Sequence, residues 1–152
     1  MYNPLSEKIY LAGPWFTPEQ MKVQQTIEGI AKLNGWSIFS PRLELLLTPQ
    51  STHEDRARCF FMNNRVIMHC RLVLANVEGY DTGTLWEMGA AFAYNTRVVA
   101  YSVNPERKLN VMLAQGCVGF LAGWEAIKNF LTPPSHDELN WKVATPWTKE
   151  VF

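Results

Sequence analysis

The chain has 152 residues, 47% of them apolar, and a formal net charge of zero. That length suits one domain with a real core, so a single unit over residues 1–152 is expected. The balanced charge and the lack of a basic stripe exclude a nucleic-acid binder, and no apolar run is long enough to cross a bilayer. The opening "MYNPLSEK" lacks the charged-then-apolar build of a signal peptide, and the three cysteines, Cys59, Cys70 and Cys117, show no CxxC pair. Free thiols in a reducing cytoplasm are therefore expected. His69 and Cys70 are adjacent, but neighbours on one element rarely converge on one ion, and no metal is expected.

In chain order, "KIYLAG" (Lys8 to Gly13) reads as a β-rich run closed by glycine. Pro18 suits the first turn of a helix, and Val23, Ile27, Ile30 and Ala31 recur at helical spacing until "NGW" stops them. "WSIFSP" (Trp36 to Pro41) is a second strand, residues 42–53 read as a loop, and a helix is expected from Glu54 to about His69. "RLVLANV" (Arg71 to Val77) has the length of a buried strand. A turn at "GYDTG" then leads into the helix of "TLWEMGAAFA", and "RVVAYSV" (Arg97 to Val103) is the fourth strand. "NVMLAQG" and "WEAIKNFL" suggest two final helical pieces, and the tail from Thr132 to Phe152 reads as extended. Strands separated by helices predict right-handed crossovers. The fold class is α/β: a mostly parallel sheet flanked by helices, doubly wound in the flavodoxin or Rossmann manner.

Such a sheet receives its ligand at the carboxyl ends of its strands. Here those ends are "AGPWFTP", "NVEGYDTGT" with the helix behind it, and "NPERKLNVM". They offer carboxylates, aromatics and amides, which suits a neutral polar molecule with a flat apolar part. Glu87 is the residue that composition does not explain. It sits among apolar and small neighbours, near the positive start of a helix, and a buried carboxylate is costly unless it is paired or used. One use is as a nucleophile or general base; the alternatives are a structural partner or an exposed helix face. Trp15 and Phe16 project from the loop after Gly13, or else join the core. "AGPWFTPEQ" has one glycine where a phosphate loop needs three, so no nucleotide cofactor is expected.

Three pieces together, "IYLAGPWF", "YDTGTLWEMGAAFA" and "LNVM", resemble the nucleoside 2-deoxyribosyltransferase family in order and spacing over about residues 8 to 130. The closing "KEVF" is also similar to the ends of members. The resemblance implies roles. Glu87 matches a nucleophilic glutamate that attacks C1′ of a 2′-deoxynucleoside and forms a covalent deoxyribosyl ester, which a second base resolves with retention. Tyr10 matches the tyrosine that holds it, and Asp81 the aspartate that binds the sugar 5′-hydroxyl. Gly13, Trp15 and Phe16 match the loop that walls the base. Asn110 and Met112 match residues lent to a neighbouring subunit, and Phe152 would close the pocket. The implied partners are a 2′-deoxynucleoside and a free nucleobase, in a homo-oligomer built from dimers, up to a hexamer.

The chain departs from the family in two places. Members carry an aspartate after an asparagine in the second helix, where it contacts the base; here "FFMNNRVIM" puts Asn63 or Asn64 there, and Asn64 is the assignment carried forward. An amide hydrogen-bonds a base edge but does not donate a proton as an acid does. The family's base-contacting glutamine near the second strand is replaced by Arg42 or Glu44 in "FSPRLELLL". Two other functions stay open: a nucleoside or nucleotide N-glycosidase that uses water, and a nucleoside-binding protein without turnover.

Overall fold

The structure is a computed structural model, and it describes residues 3–132. The four apolar runs read from the sequence pair as parallel strands: β1 (Ile9–Ala12), β2 (Ile38–Phe39), β3 (Leu72–Asn76) and β4 (Val98–Ser102). A fifth strand, β5 (Gly119–Ala122), joins β4 in parallel register, with Ala100 opposite Phe120. The sheet order is β2-β1-β3-β4-β5, the flavodoxin-like order, which switches direction between β1 and β3. The expected α/β class is thus observed, with one strand more than the sequence reading counted.

The helices are α1 (Pro18–Leu33), α2 (Pro41–Glu44), α3 (His53–His69), α4 (Thr82–Ala93), α5 (Val111–Gly116) and α6 (Gly123–Leu131). Their starts are encoded locally. Thr17 accepts from the Gln20 backbone N–H while the Gln20 side chain caps back, and Thr52 and Asp55 form the same reciprocal box. Pro18 stands in the first turn of α1, as its fixed φ allows. α2 is a correction to the expected loop over 42–53: Pro41 starts a single turn before the chain leaves the sheet edge. No helix among the described residues is long and apolar enough to cross a membrane.

Strand alternation decides what faces what. Ile9, Leu11, Leu72, Leu74, Val99 and Tyr101 pack with Ile27, Ile127 and Leu131 on the side of α1 and α6. Tyr10, Ala12, Val73, Ala75, Val98 and Ala100 pack with Val66, Ile67, Met88 and Ala91 on the side of α3 and α4. Every residue of β1, β3 and β4 is buried, as continuous apolar runs in a doubly covered sheet require. The expected extended tail and Phe152 lie outside the described residues.

Candidate active site

Alternation puts Tyr10 on the α4 side of β1, and its hydroxyl reaches Glu87. Tyr10 Oη donates to Glu87 Oε1 at 2.7 Å, joining the first strand to the fourth helix. Tyr10 is fully buried and stacks on Phe39 with ring centroids 5.6 Å apart. The ring is therefore fixed before the hydroxyl meets the carboxylate. Glu87 is partly exposed, and burial pushes its carboxyl up to about 7, with the Asp81 charge adding to the rise and the Tyr10 hydrogen bond opposing it. Burial and the Glu87 charge push the Tyr10 phenol far upward, so it stays a donor through the neutral range. The arrangement holds an accessible carboxylate, ionised from neutral pH upward and oriented by one strong hydrogen bond. It suits a nucleophile.

Helix α3 supplies the next wall. Burial and, after it, the Glu87 carboxylate raise the Cys59 thiol, which marks Cys59 as a neighbour of Glu87. Cys59 also lines a cavity of about 350 Å³ beneath Glu44, Leu45, Leu46 and Leu47, with Ser51, Asp55 and Arg58 on its other side. Sequence reasoning missed Cys59, because a lone cysteine in a helix carries no signal of its own. The Asn63 Nδ2 donates toward Cys59 Sγ at 3.9 Å, and Asn63 Oδ1 is buried with no hydrogen-bond partner among the described residues. Asn64 sits elsewhere on the helix. Its Nδ2 donates to the Phe60 carbonyl at 2.8 Å, and its Oδ1 accepts from the Tyr94 hydroxyl at 3.4 Å. Asn64 thus serves the packing of α3 on α4, and of the two asparagines it is Asn63 that stands beside Cys59. Arg42 is committed too: its guanidinium holds buried Glu28 through Nε (3.1 Å) and Nη2, and Ser40 donates to the same carboxylate at 2.7 Å.

Asp81 is the N-cap of α4. Its Oδ2 accepts from Thr84 N (2.8 Å) and Thr84 Oγ1 (2.9 Å), which fixes the first turn of the helix that carries Glu87. The turn before it, 78–80, runs left-handed at Gly79 (φ 75°) and Tyr80 (φ 52°). Arg107, from the loop after β4, holds Glu78 at 2.8 Å, so its charge is already paired. Gly13 is required by close approach: a Cβ there would stand 2.8 Å from the Oε1 of fully buried Gln24 and 3.1 Å from Asn76 Cβ. Trp15 is partly buried and stacks on Phe16, which is 74% exposed, so Phe16 is no core residue.

Asn110 caps α5, its Oδ1 accepting from Met112 N at 2.8 Å, and Met112 is 78% exposed. Met112 and Leu113 line a groove of about 330 Å³ against Leu85, Met88, Gly89 and Phe92 of α4. At roughly 100° per residue, Glu87 lies about 160° round α4 from Leu85 and Gly89 and about 140° from Phe92, so the groove opens on a different face of the helix. The structure therefore brings together Tyr10, Glu87 and Cys59, with Asp81 at the head of the same helix, and sets Met112 against the other face of α4. Among the described residues, no three His, Cys, Asp or Glu side chains gather as a metal-binding group.

Comparison with known proteins follows the same outline. The family profile described as nucleoside 2-deoxyribosyltransferase matches residues 9–125. A solved 2-deoxyribosyltransferase from Bacillus psychrosaccharolyticus superposes with a TM-score of 0.71 at 28% identity, covering 81% of this chain and 91% of that one. A conserved protein from Enterococcus faecalis V583 (TM-score 0.56, 24% identity, 71% of this chain and 70% of that one) shares the fold. So does a deoxyribosyltransferase from Leishmania mexicana (TM-score 0.51, 19% identity, 72% and 71%). No curated protein matches the chain.

Proposed function

Since the chain belongs to the nucleoside 2-deoxyribosyltransferase family, we propose that it moves the 2-deoxyribosyl group of a 2′-deoxynucleoside from one nucleobase to another, through an ester on Glu87. The observation that carries this reading is the 2.7 Å hydrogen bond from Tyr10 to Glu87 at the carboxyl edge of the sheet. In the first half-reaction Glu87 attacks C1′ from the face opposite the base. The C1′–N bond breaks, its electron pair leaves with the base, and the base takes up a proton. In the second half-reaction a ring nitrogen of the incoming base attacks C1′ and gives up its proton to solvent, balancing the one the first base took, while the glutamyl ester bond breaks and Glu87 regains its charge. Two inversions give net retention, as in retaining glycosidases. Between them, Tyr10 holds the carboxylate in line and carries no charge itself.

The cavity beside Cys59 is the proposed seat of the base, with Trp15 and Phe16 as its other wall. Asp81 is proposed to face the 5′-hydroxyl through the oxygen that the helix cap leaves over. A 5′-phosphate is disfavoured, since Asp81 is negative and Arg107 is neutralised by Glu78. Asn110 and Met112 are proposed to act on a neighbouring subunit's substrate, which agrees with their place on the other face of α4. The test is to incubate the protein with a deoxynucleoside and a different free base. Formation of the new deoxynucleoside supports the reading. Release of free deoxyribose alone would make the protein an N-glycosidase, and no reaction would leave a binding protein.

A further inference from the structure

Two loops meet at the carboxyl edge through contacts that the reaction itself does not use. Glu78 and Tyr80 come from the loop after β3, and Arg107 and Lys108 from the loop after β4. Glu78 accepts from Arg107 Nη2 at 2.8 Å and from the Ser102 hydroxyl. The Arg107 guanidinium lies over the Tyr80 ring, 5.1 Å from its centroid, and the Tyr80 hydroxyl donates to the Lys108 carbonyl at 2.8 Å. Arg107 Nε is buried with no hydrogen-bond partner among the described residues, and the guanidinium is aimed by Glu78 and Tyr80. What this clamp grips is unusual: Tyr80 is a non-glycine residue at φ 52°, preceded by Gly79 at φ 75°. Such backbone persists only where its surroundings hold it. The next residue is Asp81, which caps α4 and sets the helix that presents Glu87.

We propose that Arg107 is a positioning residue of this site: by clamping Tyr80 in its left-handed conformation it fixes Asp81, and through Asp81 the start of α4 and the attitude of Glu87. The inference rests on the function proposed above only for its kinetic readout. The groups that face Glu87 are Tyr10 from β1, Cys59 from α3 and Asp81 at the head of α4. Asp81 raises the Glu87 carboxyl, so a loop that lets Asp81 drift away lowers it. A role confined to stability has no such effect.

The experiment compares the parent with Arg107→Ala and Arg107→Lys in two measurements. One is the NMR titration of the Glu87 side-chain carbon; the other is kcat/KM for base exchange at pH 8. For Arg107→Ala the Glu87 midpoint should fall by about half a unit from the parent value. Its kcat/KM should fall about ten-fold or more, because small misplacements of a reacting group are costly. Arg107→Lys keeps the charge on Glu78 but loses the flat stack on Tyr80, and should lie between. If Arg107→Ala does not fold, Tyr80→Phe, which removes the hydroxyl's tether to Lys108 and its contact with Arg107, should move both readouts in the same direction. A folded variant whose melting temperature falls while the Glu87 midpoint and kcat/KM stay at parent values overturns the proposal. If the parent shows no exchange, the proposed function fails, and the titration still decides the clamp.

Discussion

Glu87 is held between opposing influences. Burial and Asp81 push its carboxyl up to about 7, and the Tyr10 hydroxyl holds it down. A nucleophile must be ionised, so kcat/KM should rise with pH and reach half its plateau near 7. Tyr10→Phe removes the hydrogen bond that favours the charge. The same rise should then come at higher pH, with activity at pH 7 lowered about ten-fold or more. Glu87→Ala should lower transfer by about a thousand-fold or more while leaving the fold intact. The stability sign runs the other way. The folded carboxyl keeps its proton to higher pH than the unfolded one, so the native state loses stability as pH rises from about 4.5 to about 7. Glu87→Gln should therefore melt higher than the parent at pH 8, by about 2–4 °C if relief is on the order of 1 kcal/mol, and no higher at pH 4. The two asparagines separate by role. Asn64→Asp loses the donor to the Phe60 carbonyl and should cost about 1–2 kcal/mol in a denaturant melt. Asn63→Asp, beside Cys59, should instead change which bases are accepted, read as exchange rates across a panel of bases.

At the level of elements, legibility followed length. The apolar runs of β1, β3 and β4 and the long repeats of α1 and α3 declared themselves, because a buried strand or an amphipathic helix needs several residues in one pattern. β5 is only Gly119–Ala122, half-buried in alternation; Gly116 and Gly123 bracket it, but four residues between two helical pieces are too few to show a pattern. α2 is one turn whose proline reads equally well as a strand stop. The working face of α3 was also hidden: adjacent asparagines point about 100° apart on a helix, i,i+4 spacing sets Asn63 beside Cys59, and only the packed structure shows that Cys59 lies near Glu87. The commitment of Arg42 to Glu28 was illegible for a different reason, since the partners belong to α1 and α2 and nothing in either segment names the other. Glu28 is buried and Arg42 partly so, and removing the arginine leaves a buried carboxylate without its countercharge. Arg42→Ala should cost about 3 kcal/mol by chemical denaturation, and Glu28→Gln in the same background should recover part of it. A melt unchanged by Arg42→Ala would show that the pair does not hold the β2 edge.

For the whole molecule, the doubly wound topology follows from strand–helix alternation, and the topology in turn puts Tyr10, Asp81 and Glu87 at one edge. Among the described residues, α3 and α4 carry exposed aromatics: Phe60 and Trp86 pack together on their outer side, centroids 5.2 Å apart, with Phe61 and Phe92 68% and 65% exposed. Patches of that kind mark contact surfaces. With the groove beside Met112, they lead us to expect a homo-oligomer, and light scattering should find the active species larger than one chain. An active monomer would remove the proposed role of Asn110 and Met112 in a neighbour's site. The central claim is the glutamyl ester, and the most direct measurement is the mass of the intact protein, quenched during reaction with a 2′-deoxynucleoside and no acceptor base, followed by peptide mapping. The account predicts one added deoxyribosyl group, carried by the peptide containing Glu87, absent from Glu87→Ala and discharged into a new deoxynucleoside when a free base is added. Steady base exchange with no adduct at any quench time, or an adduct that persists in Glu87→Ala, would contradict it.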